Sequence, residues 1–400
     1  MPTLSIVNNR LHITNLSDDI YKQLNSLPFA IKINNGTAIL PFESIPEVKG
    51  ILPETNLDEE AEKRLKYLTW KNQQIYFIKN NNNMDLSYLK DIVIPIKNPK
   101  LLRPYQIQAI VLILAIRRIL LADDMGLGKG IISIAATQSL KQKGYIKRTL
   151  IVCPNSIKES VWEKEINKWT DEKYIISVGT QEERKKQFSE LLNNDYFYFV
   201  INYEALRKYH DILQQWNPQA IILDECTAIK NKMSKQTKAV KKFIFTPYKI
   251  LLTGTPMLNR PDELWSLLNF INPYYWNSYK RFMDIYSIRR LKEIWIKKYD
   301  PKTGEYYKKK QVFWKMEGFK DLSDLRQRIE PYYRRKTKAE VAKSLPDVIE
   351  EERVITLLPK QYEMYQKLYD EMVIKLQEQD LNPSLTGGFI TKFLEVCDSL

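Results

Sequence analysis

Short apolar runs alternate with longer stretches of helical periodicity between residues 101 and 272. Helical stretches follow the first two runs, over residues 131–142 and through Trp162 and Ile166. Continuously apolar strands separated by helices are typical of a parallel sheet that is covered on both faces. The pattern therefore predicts an α/β lobe that binds ligands at the carboxyl ends of its strands. The predicted strands are residues 118–122, 149–153, 196–201, 220–223 and 249–252.

Residues 1–98 have a different pattern. Alternating runs at 30–33, 37–40 and 74–78 predict short strands, and the charged amphipathic stretch 58–68 predicts a helix. We interpret this segment as a small accessory α+β unit, separated from the following lobe by the proline-containing stretch 95–99. It contains no recognisable catalytic pattern.

Composition excludes several classes of protein. The longest apolar run, residues 109–116, is far shorter than the roughly 20 residues that a membrane-spanning helix needs. The amino-terminal residues lack the pattern of a signal peptide. The three cysteines and two histidines are too few and too far apart for a disulfide framework or a zinc site. We therefore expect an intracellular protein without a membrane partner.

Most of the net charge lies in one segment. The chain has 62 basic and 48 acidic residues, a formal charge of +14, and residues 271–343 hold 20 basic and 9 acidic residues, a net of +11. The same segment has 15 of the 46 aromatic residues. Cations and aromatic rings suit contacts with phosphates and bases, but they also suit a solvated face over a core. Charge alone leaves both interpretations open.

The loop after the first predicted strand has the composition of a phosphate-binding loop. It is followed by a helix, whose amino-terminal N–H groups bind phosphates, and Lys129 would reach the β and γ oxygens. Two positions depart from the usual pattern: Asp123 replaces the first glycine, and Gly130 replaces the Ser or Thr that binds Mg²⁺. The loop reads Asp123-Asp124-Met125-Gly126-Leu127-Gly128-Lys129-Gly130.

Later strand ends add polar groups. Asp224 and Glu225 follow the strand at 220–223, where one carboxylate could hold Mg²⁺ and the other could polarise water. An isolated Asp-Glu pair after a strand is more often part of a solvated loop. The catalytic interpretation of this pair therefore depends on the phosphate-binding loop upstream. Upstream, the amide of Gln106 could pair with a donor and an acceptor on adenine.

Six ordered segments resemble the motifs of Swi/Snf-type DNA translocases, which are helicase-like ATPases of superfamily two. The similarity is greatest to the annealing-helicase branch, and it extends over roughly residues 101–400. Arg334-Arg335-Lys336, followed by Leu345-Pro346, is similar to the basic segment that trails the first motor lobe in this family. The six segments are residues 102–106, 121–129, 152–162, 201–206, 222–231 and 251–261.

The resemblance implies a RecA-like P-loop lobe with ATP and Mg²⁺ as cofactors. Lys129, Asp224 and Glu225 would be catalytic, with Mg²⁺ at Asp224, and Gln106 would contact adenine with support from Arg103 and Tyr105. The remaining residues of 123–130 would complete the nucleotide site. The implied DNA contacts and coupling residues are Asn155, Ser156, Lys158, Asn202 and Tyr203, and Thr253, Gly254 and Thr255.

The resemblance also implies four segments: the accessory unit 1–98, the ATP-binding lobe 99–272, a helical basic insertion at 273–343, and a trailing part at 344–400. A second RecA-like lobe would be supplied in cis or in trans, because no further strand–helix repeats follow. Its arginines contribute about 10³–10⁵ in rate in related phosphoryl transfer. We therefore expect weak ATP turnover by this chain alone.

The leading hypothesis is an ATP-dependent translocase that binds duplex or branched DNA mostly through its backbone. It would act in the cytoplasm or nucleoid, or in a nucleus. A rival is a catalytically weak DNA-binding scaffold, which Gly130 favours. A P-loop kinase or GTPase is disfavoured because neither needs the motifs at 201–206 and 253–261. The accessory unit would recognise DNA structure or bind a partner.

The turn at 300–304 and the run at 306–312 indicate a small hairpin within the insertion. We predict that reversing the charges of Lys308, Lys309 and Lys310 weakens duplex binding and flattens its salt dependence, by about 0.9 in the log–log slope for each lost phosphate contact. Titrations at several salt concentrations would measure this. Unchanged binding would support a solvated surface instead.

Overall fold

A computed structural model of the chain divides into two compact units, residues 1–343 and 344–400. The structure describes residues 2–24, 27–29, 31–34, 37–81, 93–254, 261–299, 306–341 and 356–378. The first unit contains a small amino-terminal sheet, a large parallel sheet and a long hairpin.

The amino-terminal sheet has five described strands in the order β3-β4-β2-β1-β5. Only the pairing of β1 with β5 is parallel. The long helix α3 (Glu59–Asn80) is capped by Asp58, whose side chain accepts a hydrogen bond from Ala61 N. It contains residues 74–78, which we predicted to be a strand. Helix packing therefore overrides the short alternation there. The elements are β1 (Thr3–Val7), β2 (Arg10–Thr14), α1 (Asp18–Leu24), β3 (Lys32–Asn34), β4 (Thr37–Pro41), α2 (Ile45–Ile51), β5 (Asn56–Leu57) and α3 (Glu59–Asn80).

The large sheet lies in the middle of the chain. It begins after α4 (Pro104–Ile116), and its helices and strands alternate as the sequence predicts. The elements that follow are β6 (Arg118–Leu121), α5 (Lys129–Gln142), β7 (Thr149–Cys153), α6 (Lys164–Trp169), β8 (Tyr174–Ile176), α7 (Gln181–Asn193), β9 (Tyr198–Asn202), α8 (Tyr203–Trp216), β10 (Ala220–Leu223), α9 (Lys235–Val240), β11 (Tyr248–Leu252) and α10 (Pro261–Ile271).

All described pairings in this sheet are parallel, in the order β14-β6-β11-β10-β7-β9-β8, where β14 is Tyr333–Arg334. Alternate residues of each strand enter two different cores: Ile151 packs with α4 and α5, whereas Leu150 and Val152 pack with α7 and α8. Burial on both faces explains the continuously apolar strands. The predicted α/β class, with a parallel sheet flanked by helices, is confirmed.

The basic insertion is built differently from the prediction. Its middle is a two-stranded antiparallel hairpin, β12 (Ser287–Tyr299) and β13 (Tyr306–Phe319), and only its flanks are helical: α11 (Tyr279–Tyr286), α12 (Leu322–Ile329) and α13 (Lys338–Val341). Aromatic and β-branched residues, including Trp295 and Trp314, favour extended strands. The expected helical insertion is thus corrected to a hairpin that is longer than the predicted one. The predicted turn at 300–304 lies outside the described residues.

The amino-terminal sheet and the base of the insertion share one hydrophobic core. Leu4, Leu11 and Phe29 pack in the same cluster as Trp276 and Phe282. A polar network reinforces this junction: Arg328 Nη1 donates to Glu47 Oε2 at 2.7 Å, and Tyr275 Oη donates to Glu47 Oε1 at 2.6 Å. The boundaries that we predicted at residues 98 and 272 remain predictions, and the packing across them is extensive.

In the second unit, the described residues form helix α14 (Pro359–Glu378). Across the described part of the chain, the helices are too short or too polar to traverse a bilayer.

The shared core generates a stability prediction. Trp276 is fully buried, and its Nε1 donates to Tyr332 Oη at 2.6 Å. We expect Trp276→Ala to lower the free energy of unfolding by about 3–5 kcal/mol, because it leaves a cavity and an unpaired hydroxyl. The matched control Trp295→Ala removes a side chain that is 66% exposed and should change stability by less than about 0.5 kcal/mol. Urea unfolding monitored by far-ultraviolet circular dichroism would compare them, and equal losses would contradict the shared core.

Candidate functional site

The loop between β6 and α5 has the backbone of an anion-binding turn. Gly126 and Gly128 have φ angles of +84° and +77°, a conformation that side chains disfavour. A methyl group on Gly128 would also lie 2.5 Å from Gln106 Nε2, so a larger residue there would displace the Gln106 amide from its present position. We call residues 122–128 the phosphate loop.

Lys129 begins α5 and lies across the phosphate loop. Its Nζ donates to the carbonyl oxygens of Asp123 at 2.8 Å and of Asp124 at 3.2 Å. Burial lowers the pKa of Lys129, although the acidic groups of Glu225, Asp123 and Asp224 oppose that shift. The ammonium is therefore close to both the loop and the acidic pair, which is where the phosphates of a nucleotide would need it.

Residues before the phosphate loop support it through hydrogen bonds. Tyr105 Oη and Gln106 Nε2 both donate to Leu127 O, at 3.2 and 3.3 Å. Gln106 Oε1 accepts from Arg103 N at 2.9 Å. The Gln106 amide, which we predicted to contact adenine, thus binds the phosphate loop and the start of α4. Its contact with a base remains a prediction.

Asp224 and Glu225 lie at the end of β10, with Lys129 as a neighbouring charge. Asp224 Oδ2 accepts from Trp162 Nε1 at 2.9 Å, and Asp224 O accepts from Tyr203 Oη at 2.8 Å. Burial raises the pKa of Asp224, and burial together with Asp224 raises the pKa of Glu225. Glu225 has a φ of +46°, which is uncommon for a residue with a side chain. A cation at this site would offset the cost of burying both carboxylates.

The turn after β11 packs directly on the phosphate loop. Thr253 is buried, and its N–H donates to Leu121 O at 3.2 Å. A methyl group on Gly254 would lie 2.8 Å from Met125 Cγ. The turn is thus in contact with Met125 of the phosphate loop, and its predicted coupling role remains a prediction. Thr255, which we also predicted to act in coupling, lies outside the described residues.

A segment near the end of the insertion, after the hairpin, closes one side of the phosphate loop. We call residues 333–338 the return segment. Its first two residues form β14 beside β6, and its backbone continues the pairing, because Ala122 N donates to Arg334 O at 2.7 Å and Asp124 N donates to Lys336 O at 2.9 Å. The chain thus leaves the lobe, forms the hairpin and returns to the phosphate loop.

A buried ion pair joins the return segment to the phosphate loop. Asp123 is fully buried and Arg334 is 5% exposed, and Arg334 Nη1 donates to Asp123 Oδ2. Arg334 Nη2 donates to Tyr105 O at 2.7 Å and to Gln108 Oε1 at 3.3 Å. Burial raises the pKa of Asp123 against the effect of Arg334. The Asp123 carboxylate thus holds the loop, and the predicted place of Asp123 in the nucleotide site remains a prediction.

The residues that we predicted to contact DNA differ in their exposure to solvent. Asn155 and Ser156 are exposed at the carboxyl end of β7. Lys158 and Tyr203 are each 3% exposed, and the Lys158 ammonium donates to Ser177 O at 2.5 Å. The polar side-chain atoms of these two residues are turned inward, and their contact with DNA remains a prediction. Asn202 is 7% exposed, and its amide donates to Glu204 Oε2 at 2.8 Å.

The three lysines of the hairpin lie in β13. Lys308 and Lys309 are in register with Lys297 and Ile296 of β12. Lys310 forms an ion pair with Glu293 at 2.8 Å, and that pair offsets part of its charge.

The residues around the phosphate loop fit Mg²⁺ bound together with a nucleotide. Within the described ranges no group of three or more His, Cys, Asp and Glu could hold a metal alone, so phosphate oxygens and water would have to complete the coordination. Asp224 would be the carboxylate that contributes to this coordination, as the sequence predicts. Gly130 supplies no hydroxyl, although a methyl group there would make only ordinary contact, 3.7 Å from Glu165 Cγ.

Together these features define an α/β protein with a P-loop nucleotide site. The sequence profile of the SNF2-related domain matches residues 31–398, and the chain belongs to this family. The resemblance to Swi/Snf-type ATPases is thereby confirmed.

Relatives in the family are much longer than this chain. The chromatin structure-remodeling complex protein SYD of Arabidopsis thaliana is 32% identical over 62% of this chain but only 7% of its own length. The ISWI chromatin-remodeling complex ATPase ISW1 of Saccharomyces cerevisiae is 34% identical over 48% of this chain and 17% of its own length. A Sulfolobus solfataricus SWI2/SNF2 ATPase core in complex with dsDNA is 27% identical over 74% of this chain and 58% of that chain, with a TM-score of 0.47.

Sequence reasoning missed several supporting residues. Trp162 was recognised as a helical apolar position and as the last residue of the motif at 152–162, but nothing in its spacing indicates the hydrogen bond to Asp224. Arg334 belonged to a basic run whose members look equivalent in sequence, although only Arg334 is buried with Asp123.

The buried ion pair generates a prediction. Arg334→Met should lower the free energy of unfolding by about 3–5 kcal/mol at neutral pH, because Asp123 stays buried without its partner. Without Arg334 the pKa of Asp123 would rise further, and a raised carboxyl pKa costs stability as pH increases, so the deficit should shrink on acidification. Chemical denaturation at several pH values would measure both effects.

Two variants serve as controls for this prediction. Arg335→Met removes a cation that is 39% exposed and 3.6 Å from Asp124, and it should cost less than about 1 kcal/mol. The double variant Asp123→Asn with Arg334→Met should recover much of the loss. A single variant as stable as the unaltered chain would contradict the assigned role of the pair.

Proposed function

We propose that the chain is the first motor lobe of an ATP-dependent DNA translocase. The observation that supports this most directly is the proximity of Lys129 to the Asp224–Glu225 pair. Both lie beside a loop whose positive φ angles at positions 126 and 128 favour glycine. Family membership supports the same assignment. The chain spans under a fifth of the curated relatives described above, so activity and partners are inferred from its own site.

In this proposal the phosphate loop and Lys129 bind the phosphates of ATP, and Asp224 holds Mg²⁺. The metal supplies charge neutralisation at the phosphates. Glu225 orients the attacking water, and its raised pKa makes it a better proton acceptor than an ordinary glutamate. Gln106 is close enough to the loop to contact the base once it exchanges its present partners.

Duplex or branched DNA is the proposed second ligand. Asn155 and Ser156 offer exposed polar groups, and the hairpin adds lysines and exposed aromatic rings such as Trp295 and Trp314. Contacts of this kind go to the DNA backbone and depend little on sequence. Such a protein would act inside the cell, where DNA and ATP are available.

Two features predict slow hydrolysis by this chain alone. Gly130 lacks the hydroxyl that binds Mg²⁺ in P-loop enzymes. A second RecA-like lobe, in cis or in trans, would supply the arginines that stabilise the transition state. A DNA-binding scaffold with little turnover is the alternative, and Gly130 is the observation that favours it.

Nucleotide binding and DNA-stimulated hydrolysis would test the proposal. The chain should bind ATP with Mg²⁺, and Lys129→Met should abolish most of that binding. Hydrolysis should be slow with duplex DNA and should rise by at least about 10³-fold once a second lobe is supplied. Rapid hydrolysis without a second lobe would contradict the prediction that fast turnover requires arginines from that lobe.

Gly130→Thr separates the two candidate functions, because a Cβ at this position makes only ordinary contact, 3.7 Å from Glu165 Cγ. A translocase should gain turnover in the presence of the second lobe. A scaffold should bind DNA and gain nothing. Glu225→Gln serves as the control that binds ATP without hydrolysing it.

A further inference from the structure

The side chain of Lys338 lies alongside the phosphate loop although it is far away in sequence. A methyl group on Gly126 would be 3.7 Å from Lys338 Cε, so the ammonium, one bond beyond, is close to the loop. The backbone is fixed as well, because Lys338 N donates to Asp124 Oδ2 at 2.9 Å. The side chain therefore starts from an anchored position.

Two of the cations beside the phosphate loop are paired with the carboxylates of the loop, whereas Lys338 is not. Asp123 and Asp124 place two carboxylates beside a site for an anionic triphosphate. Arg334 pairs with Asp123 and Arg335 with Asp124, at 3.6 Å for the latter pair, so these two cations are already committed. Lys338 is exposed, and among the described residues its ammonium has no ion-pair partner.

We propose that Lys338, beside Gly126, binds the β- and γ-phosphates of the nucleotide in addition to Lys129. The inference rests on the ATP binding proposed above and adds a ligand from outside the phosphate-loop motif. The return segment that carries Lys338 is continuous with the basic insertion, so nucleotide binding would also fix the end of the insertion. The chemical class recognised is a nucleoside di- or triphosphate rather than a monophosphate.

Calorimetric titration of the full chain would test this with two probes, a non-hydrolysable imido analogue of ATP and AMP, both with Mg²⁺. Lys338→Met should weaken binding of the triphosphate analogue by about tenfold or more, which is typical of a hydrogen bond to a charged group. Binding of AMP should change less than about twofold. Lys338→Arg should restore most of the affinity, because it keeps the charge.

Lys143→Met is the matched control. Lys143 is exposed at the far end of α5, about 20 Å from the phosphate loop at 1.5 Å per residue, and its loss should change neither affinity. An unchanged affinity of Lys338→Met for the triphosphate analogue would overturn the inference. Equal losses for the analogue and AMP would overturn it too, because they indicate a general change in the loop.

The outcome for Lys129→Met separates this inference from the function on which it rests. If the unaltered chain binds no nucleotide, the proposed function fails. If Lys129→Met abolishes binding while Lys338→Met has no effect, the nucleotide site stands and only the role of Lys338 is rejected.

Discussion

The buried pair of Arg334 and Asp123 is the interaction on which the nucleotide end of the lobe depends. Burying either charge alone would cost several kcal/mol, so each group requires the other. Arg334 also binds Tyr105 O and the amide of Gln108, whose Nε2 donates in turn to Ile78 O at 2.9 Å. One guanidinium therefore connects the phosphate loop, α4, the end of α3 and strand β14, which follows the hairpin.

This arrangement makes the hairpin a part of the lobe. The chain enters the insertion from α10 and leaves it through β14, which is an edge strand of the large sheet. The base of the insertion completes the core of the amino-terminal sheet, with Trp276 and Tyr286 fully buried there. A force on the hairpin would reach both the amino-terminal sheet and the phosphate loop through packed side chains and paired backbone.

The sequence predicts the large sheet well, because its strands are apolar on both faces and its helices are periodic. The loop at 123–130 and the Asp224–Glu225 pair are also predictable, since local spacing specifies them. The strand prediction for residues 74–78 was wrong, because a short alternating run is also compatible with a turn of a packed helix. The burial of Lys158 and Tyr203 could not be predicted, because the position of a residue in a motif does not reveal its exposure. The contacts of Arg334 and Lys338 join residues more than 200 positions apart, and no local pattern encodes them.

The hydrogen bond between Trp162 and Asp224 has an optical consequence. The indole is 1% exposed, and its polar end rests on the carboxylate assigned to the metal. Any cation or proton that withdraws electron density from that carboxylate must alter the field across the ring. The fluorescence of Trp162 would therefore change when a proton or a cation binds at the Asp224–Glu225 pair.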